Sequence, residues 1–112
     1  MCIIAGPAIG RGRAEHGATV LHNTCDSLRD FHVLHPDLSQ GKFNAFLDLK
    51  TEAGEARFRE LLADTDVAID GCRPGCLERL GLGRDALNLL VDDRAGRGII
   101  YGRENACGWH GP

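Results

Sequence analysis

The chain has 112 residues, with 13 basic and 16 acidic side chains and a formal net charge of −3. One small domain of this length buries roughly 60–70% of its extended-chain surface, and the acidic balance argues against general nucleic-acid binding, which needs a basic face. No apolar run approaches the ~20 residues of a membrane span, MCIIAGPAIG is too short and too uncharged to act as a secretory signal, and five cysteines without a C-x-x-C pair suit reduced thiols in an intracellular compartment, cytoplasmic or organellar.

Ile3-Ile4 reads as the end of a strand. Ala5-Gly6-Pro7 turns into a helix with Pro7 at its first position and Gly17 as its C′ residue. Gly10 and Gly12 weaken that helix by about 1 kcal/mol each relative to alanine. Ala18 to His22 reads as a second strand. Asn23 to Gly41 is a polar loop of about 19 residues, long for a compact domain, and it holds Phe31, His32 and His35. Asn44 to Leu49 is a third strand. Thr51 then caps a helix whose Glu52 and Glu55 favour the dipole, with Phe58, Leu61 and Leu62 in one buried stripe. Val67 to Ile69 is a fourth strand. Leu77 and Leu80 give a short helix its apolar face, and Arg84 to Val91 is a helix with Leu87, Leu90 and Val91 inward. Gly98 to Tyr101 is a fifth strand, apolar and expected to be central. The fold class is α/β: a Rossmann-like parallel sheet with βαβ crossovers and about five short strands.

Ligands on such sheets bind at the carboxyl ends of the strands. The stretch Asp66 to Gly83 shows why. An apolar run, Val67-Ala68-Ile69, turns at Gly71, and Arg73-Pro74 precedes a helix start. Proline suits the first helical position and keeps the preceding arginine out of the helical region. Helix N–H groups beside Arg73 would favour a phosphate or carboxylate; the alternative is an ordinary empty turn. Cys72 and Cys76, four apart, could share a helix face, but their spacing fits no zinc motif, so packing as small apolar groups is expected and no metal. Cys25, in the loop, is the candidate reactive thiol. His16 is expected to interact with the helix dipole, His32 and His35 with solvent. G-L-G-R at 81 to 84 is too weak for a dinucleotide fingerprint.

RPGCLERLGLG resembles the RPG-x-L-x-R-L-G-x-G segment of the family III CoA-transferases (CaiB/BaiF-type), which include the alpha-methylacyl-CoA racemases. AGPAIGR, HGATV, GKFNAFLDLKT and GWHGP match further segments in order, and YGRENACGWHGP is most similar to fungal members. The resemblance implies that residues 1–112 are a partial N-terminal CoA-binding α/β domain, with CoA or acyl-CoA as substrate and a homodimer for the full-length protein. It implies that Ile4 and Ala5 lie against the nucleotide, that Leu47 and Lys50 flank the adenine and phosphates, and that Arg73 and Arg79 lie near the pantetheine and phosphates. CoA is polyanionic, so cations at strand ends and helix starts suit it. His110, in GWHGP, would shape the glycine-rich loop.

The family's nucleophilic aspartate, and the Asp and His of its racemases, lie beyond that loop. No catalytic residue is therefore assigned here. The chain departs from the family pattern at Asn23-Thr24-Cys25, and at Gly12-Arg13, where apolar residues are usual and Arg13 would face the core. The alternatives are a non-catalytic truncated paralogue acting as a CoA-binding or interaction module, or a small thiol-bearing regulatory protein.

Overall fold

The first helix starts earlier than its proline suggests. The computed structural model describes residues 4–24, 35–92, 96–105 and 108; expectations for Ile3, Cys25, Phe31, His32, Cys107 and His110 fall outside them. Helix α1 spans Ala5–Glu15, with Ile4 as an N-cap in the right-handed helical region rather than at the end of a strand. Pro7 is thus the third helical residue. The whole first turn has N–H groups without intrahelical acceptors, so a proline is tolerated throughout it. At the other end Gly17 takes φ 88°. Gly17 N–H donates to Ala14 O and Ala18 N–H to Arg13 O, which closes the helix as a Schellman motif. His16 Nδ1 lies 2.7 Å from Gly12 O, a helix-terminal role as expected. Arg13 is exposed, against expectation, and a Cβ at Gly12 would meet nothing within 4 Å. That side of α1 is open rather than covered.

Strand β1 (Val20–Thr24) pairs in parallel with β2 (Lys42–Phe46), and β3 (Val67–Asp70) with β4 (Ile100–Arg103). Among the described residues these form two two-stranded sheets instead of one sheet of about five. The first strand starts at Val20 because the N–H of Ala18 is spent on the helix closure. The second ends at Phe46 because Asp48 to Thr51 form a turn, Thr51 N–H donating to Asp48 O at 3.0 Å. β4 starts two residues later than the apolar run 98–101 and pairs with β3 alone among the described strands, with Ile100 69% exposed. It is not central there. A short helix, α2 (His35–Leu38), lies inside the expected long loop and is held to α1 by the Arg11–Asp37 ion pair.

Helix α3 (Glu52–Ala63) begins at the expected cap, Thr51 Oγ1 accepting from Gly54 N–H at 3.1 Å. It packs against α5 (Arg84–Val91), and Leu62, Leu82, Leu87 and Val91 form the buried apolar core. Between them α4 (Cys76–Arg79) ends in a second Schellman closure. Gly81 N–H donates to Glu78 O, and Leu82 N–H to Leu77 O. This drives Leu82 to complete burial, worth about 1.5–3 kcal/mol for a side chain of this size. The G-L-G run is therefore structural: Gly81 has φ 67°, and a Cβ at Gly83 would lie 2.8 Å from Glu78 Cγ. The sheets are less covered. Val67, Ile69 and Ile100 share one face of β3–β4, and Leu21 pairs with Phe43 on β1–β2; all five are exposed.

Candidate functional site

The carboxyl end of β3 is built around a buried acid. Asp70 is 5% exposed. Its Oδ1 accepts the Cys72 N–H at 2.8 Å, an Asx turn, and its Oδ2 accepts the Tyr101 hydroxyl at 2.7 Å. The parallel register sets Ala68 beside Tyr101 and Asp70 beside Arg103, so all four share one sheet face. Arg103 Nε stands 3.8 Å from Asp70 Oδ2, and its Nη2 reaches Glu78 Oε1 on α4 at 3.2 Å. A buried charge is costly unless paired and hydrogen-bonded, and these neighbours supply both conditions. Burial, with the hydrogen bond to Asp70 second, pushes the Tyr101 hydroxyl well above its ordinary range. Burial first, then the charge of Asp70 and of Cys76, pushes the Cys72 thiol up to about 11.

The chain then turns. Cys76 N–H donates to Arg73 O at 3.0 Å, and Gly75 has φ 78°, ψ 1°. Arg73-Pro74-Gly75-Cys76 is thus a type II β-turn, with proline second and glycine third. The expected helix start at Pro74 is overturned. A glycine immediately after proline favours the type II turn, and α4 starts only at Cys76 and runs four residues. The N–H groups next to Arg73 therefore come from elsewhere. A Cβ at Gly6 would lie 3.6 Å from Gly71 Cα, so the first turn of α1 packs on the β3 turn. That turn has no side-chain cap and no acidic residue.

The six residues singled out from the sequence fall into two groups. Ile4, exposed, and Ala5 lie at the α1 start next to Gly6, which packs on Gly71; Arg73 and Arg79 are exposed on the β3 turn and α4. A Cβ at Gly75 would lie 3.7 Å from Arg79 Nη1, so Arg79 folds back on the turn. Leu47 and Lys50 sit beyond the other strand pair. Leu47 N–H donates to Thr24 O at 3.0 Å, and Lys50 N–H to Asp48 Oδ1 at 3.0 Å, with the Lys50 side chain exposed. Among the described residues no ion pair engages Arg73, Arg79 or Lys50, whereas Arg11, Arg57, Arg59, Arg97 and Arg103 are all paired. At the end of β1, Asn23 Oδ1 and Thr24 Oγ1 are buried without a hydrogen-bond partner among the described residues.

Sequence reasoning passed over Asp70, Tyr101, Glu78 and Arg103. An aspartate closing an apolar run just before glycine was the available signal, since Asx turns favour that pair. Lys42 was missed as well: its Nζ donates to Pro7 O at 2.7 Å over the buried Gly10, and burial lowers its pKa. Among the described residues no group of three or more His, Cys, Asp or Glu is gathered as a metal would require. Cys72 and Cys76 are free thiols, half-buried. No helix among the described residues is long and apolar enough to cross a membrane.

Comparison with known proteins matches this arrangement to one group. The chain is 49% identical over 109 residues to the acetyl-coenzyme A transferase nodX of Hypoxylon pulicicidum, covering 97% of this chain and 18% of that protein. The crystal structure of Rv3272 from Mycobacterium tuberculosis superposes with a TM-score of 0.81 at 29% identity, over 100% of this chain and 32% of the other. A CAIB/BAIF family protein from Brucella suis gives 0.79 at 25% identity, over 98% and 32%. The chain therefore spans less than a third of the length of these relatives. The model of the CoA-transferase family III matches residues 2–108, and the chain belongs to that family.

Proposed function

We propose that this chain is a CoA-binding domain of a family III CoA-transferase. It would hold CoA at the carboxyl ends of its strands, with Ile4 and Ala5 against the nucleotide, Leu47 and Lys50 at the adenine and phosphates, and Arg73 and Arg79 at the phosphates and pantetheine. The observation that carries this reading is the packing of the uncapped first turn of α1 on Gly71, with the exposed Arg73, engaged by no ion pair among the described residues, two residues on. Backbone N–H groups and the positive end of a helix dipole then lie on the same edge as an arginine-bearing turn, a set suited to phosphate. The buried oxygens of Asn23 and Thr24, without a hydrogen-bond partner among the described residues, add unmet polar groups at the end of β1.

In the whole protein, CoA would pass from an acyl-CoA to a carboxylate through an aspartyl adduct, as the family resemblance implies. None of the residues described here matches that aspartate. This chain's part is to bind and orient CoA, and the exposed faces of both strand pairs suit a homodimer.

Arg73→Ala should weaken CoA binding in calorimetry by about ten- to a hundredfold, since a hydrogen bond to a charged partner contributes roughly 1.5–3 kcal/mol. Arg73→Lys should recover only part, because lysine cannot make two parallel bonds to a phosphate. Arg97→Ala is the control: Arg97 pairs with Asp66 at the opposite strand ends and is exposed. If Arg73→Ala binds like the parent while Arg97→Ala does not, the anion site lies elsewhere.

A further inference from the structure

We infer that Asp70 is a positioning residue for the CoA-holding turn: its buried carboxylate fixes the Gly71-Cys72 backbone and thereby the place from which Arg73 reaches its anion. This rests on the reading of Arg73 as a CoA contact. Three observations carry it. Asp70 is the buried charged residue among those described, and it stands one turn before the proposed cation. Its two oxygens are used in different directions, one on the Cys72 N–H within the turn and one on the Tyr101 hydroxyl of the neighbouring strand. The carboxylate therefore ties the turn after β3 to the neighbouring strand β4. Arg103 extends the tie, attracted to Asp70 and bonded to Glu78, and so connects the strand pair to α4, which carries Arg79.

The arrangement has a direct consequence. Arg73 is exposed, and among the described residues no ion pair or side-chain hydrogen bond engages it, so none of these side chains holds it in place. Its position is set by the backbone on either side: the Asx turn before it and the type II turn after it. The second turn is secured by Pro74 and Gly75, whose dihedrals need no outside help. The first depends on a carboxylate 31 residues away in sequence from the hydroxyl that steadies it. Asp70 is thus the adjustable part of the site, although it need never touch CoA.

The test combines backbone amide exchange with CoA titration of the same variants. In the parent the Cys72 amide should exchange slowly, as a hydrogen-bonded group does. Asp70→Ala should speed that exchange by about tenfold and weaken CoA by about tenfold. Asp70→Asn retains an acceptor for the Cys72 N–H and should restore slow exchange and most of the affinity. Asp70→Ala combined with Arg73→Ala should bind no more weakly than Arg73→Ala alone, since residues acting as one unit are not additive. Tyr101→Phe removes one oxygen and keeps the ring, so it covers the case in which Asp70→Ala does not fold. It should speed Cys72 exchange and weaken CoA by about two- to fivefold. If Arg73→Ala weakens CoA but Asp70→Ala and Tyr101→Phe leave affinity unchanged, the positioning role is overturned and the CoA site stands. If Arg73→Ala has no effect, the CoA reading itself fails, whatever Cys72 exchange shows.

Discussion

Replacing Gly54 with alanine should destabilise the protein although it improves helix propensity. Gly54 is the third residue of α3, and an added Cβ would lie 2.1 Å from Asp48 O, 2.8 Å from Asp48 C and 2.9 Å from Thr51 Oγ1. The carbonyl is not free to move. It accepts the Thr51 N–H at 3.0 Å and the Thr51 hydroxyl at 2.8 Å, and Asp48 Oδ1 accepts the Lys50 N–H. Relief means opening this turn, which loses the Thr51 cap, about 0.5–2 kcal/mol, and overpacks the junction, about 1–3 kcal/mol. The propensity gain of about 1 kcal/mol offsets part. The net loss should be roughly 1–3 kcal/mol, or about 4–8 °C in Tm per kcal/mol. Gly12→Ala is the matched control: the same chemical change in α1, with nothing within 4 Å of the new Cβ, should stabilise by up to about 1 kcal/mol. Urea unfolding followed by circular dichroism measures both. A Gly54→Ala protein as stable as the parent would refute the turn geometry, and with it the placement of Lys50.

Two further outcomes follow, one from burial and one from exposure. Cys72, with its thiol pushed up to about 11, should alkylate slowly at pH 8 and speed up towards pH 11, read by peptide mapping after iodoacetamide. Because its folded pKa lies above the ordinary 9.0, the stability it contributes is full below pH 9 and is lost as pH rises from 9 to 11; full-rate labelling at pH 8 would contradict the half-buried position beside Asp70. The exposed face of Val67, Ile69 and Ile100 should make the chain self-associate in light scattering, and Ile100→Lys should reduce it; a monodisperse monomer at high concentration would count against that.

The sequence was most legible where one local rule acts without competition. Gly17 as a helix terminator, Thr51 as a cap and the helix over 84–91 follow from their own neighbourhoods, and the structure has all three. The Arg73-Pro74-Gly75 segment was legible as a turn but not as the right turn. Proline satisfies both a helix start and the second place of a β-turn, and the glycine after it decides for the latter. Pro7 misled in the opposite direction, since any place in a first turn admits it. Ile4 and Ala5 were singled out by family pattern; the packing of their neighbour Gly6 on Gly71 is tertiary and leaves no local trace. Asp70 escaped because its meaning depends on Tyr101, a residue of another strand. The apolar run 98–101 suggested a central strand, since burial on both faces is the usual reason for such a run, yet Ile100 lies in the open here.

The most direct test of the central claim is a map of amide chemical shifts on titrating CoA into the 15N-labelled chain. The account predicts the largest changes at Ala5, Gly6, Gly71 and Arg73, with smaller ones around Leu47 and Lys50 and none along the opposite strand ends at Asp66 and Arg97. Changes confined to a different surface, such as the shallow depression lined by Asp85, Asn88 and Leu89 of α5 and by Asp92 just after it, would contradict it.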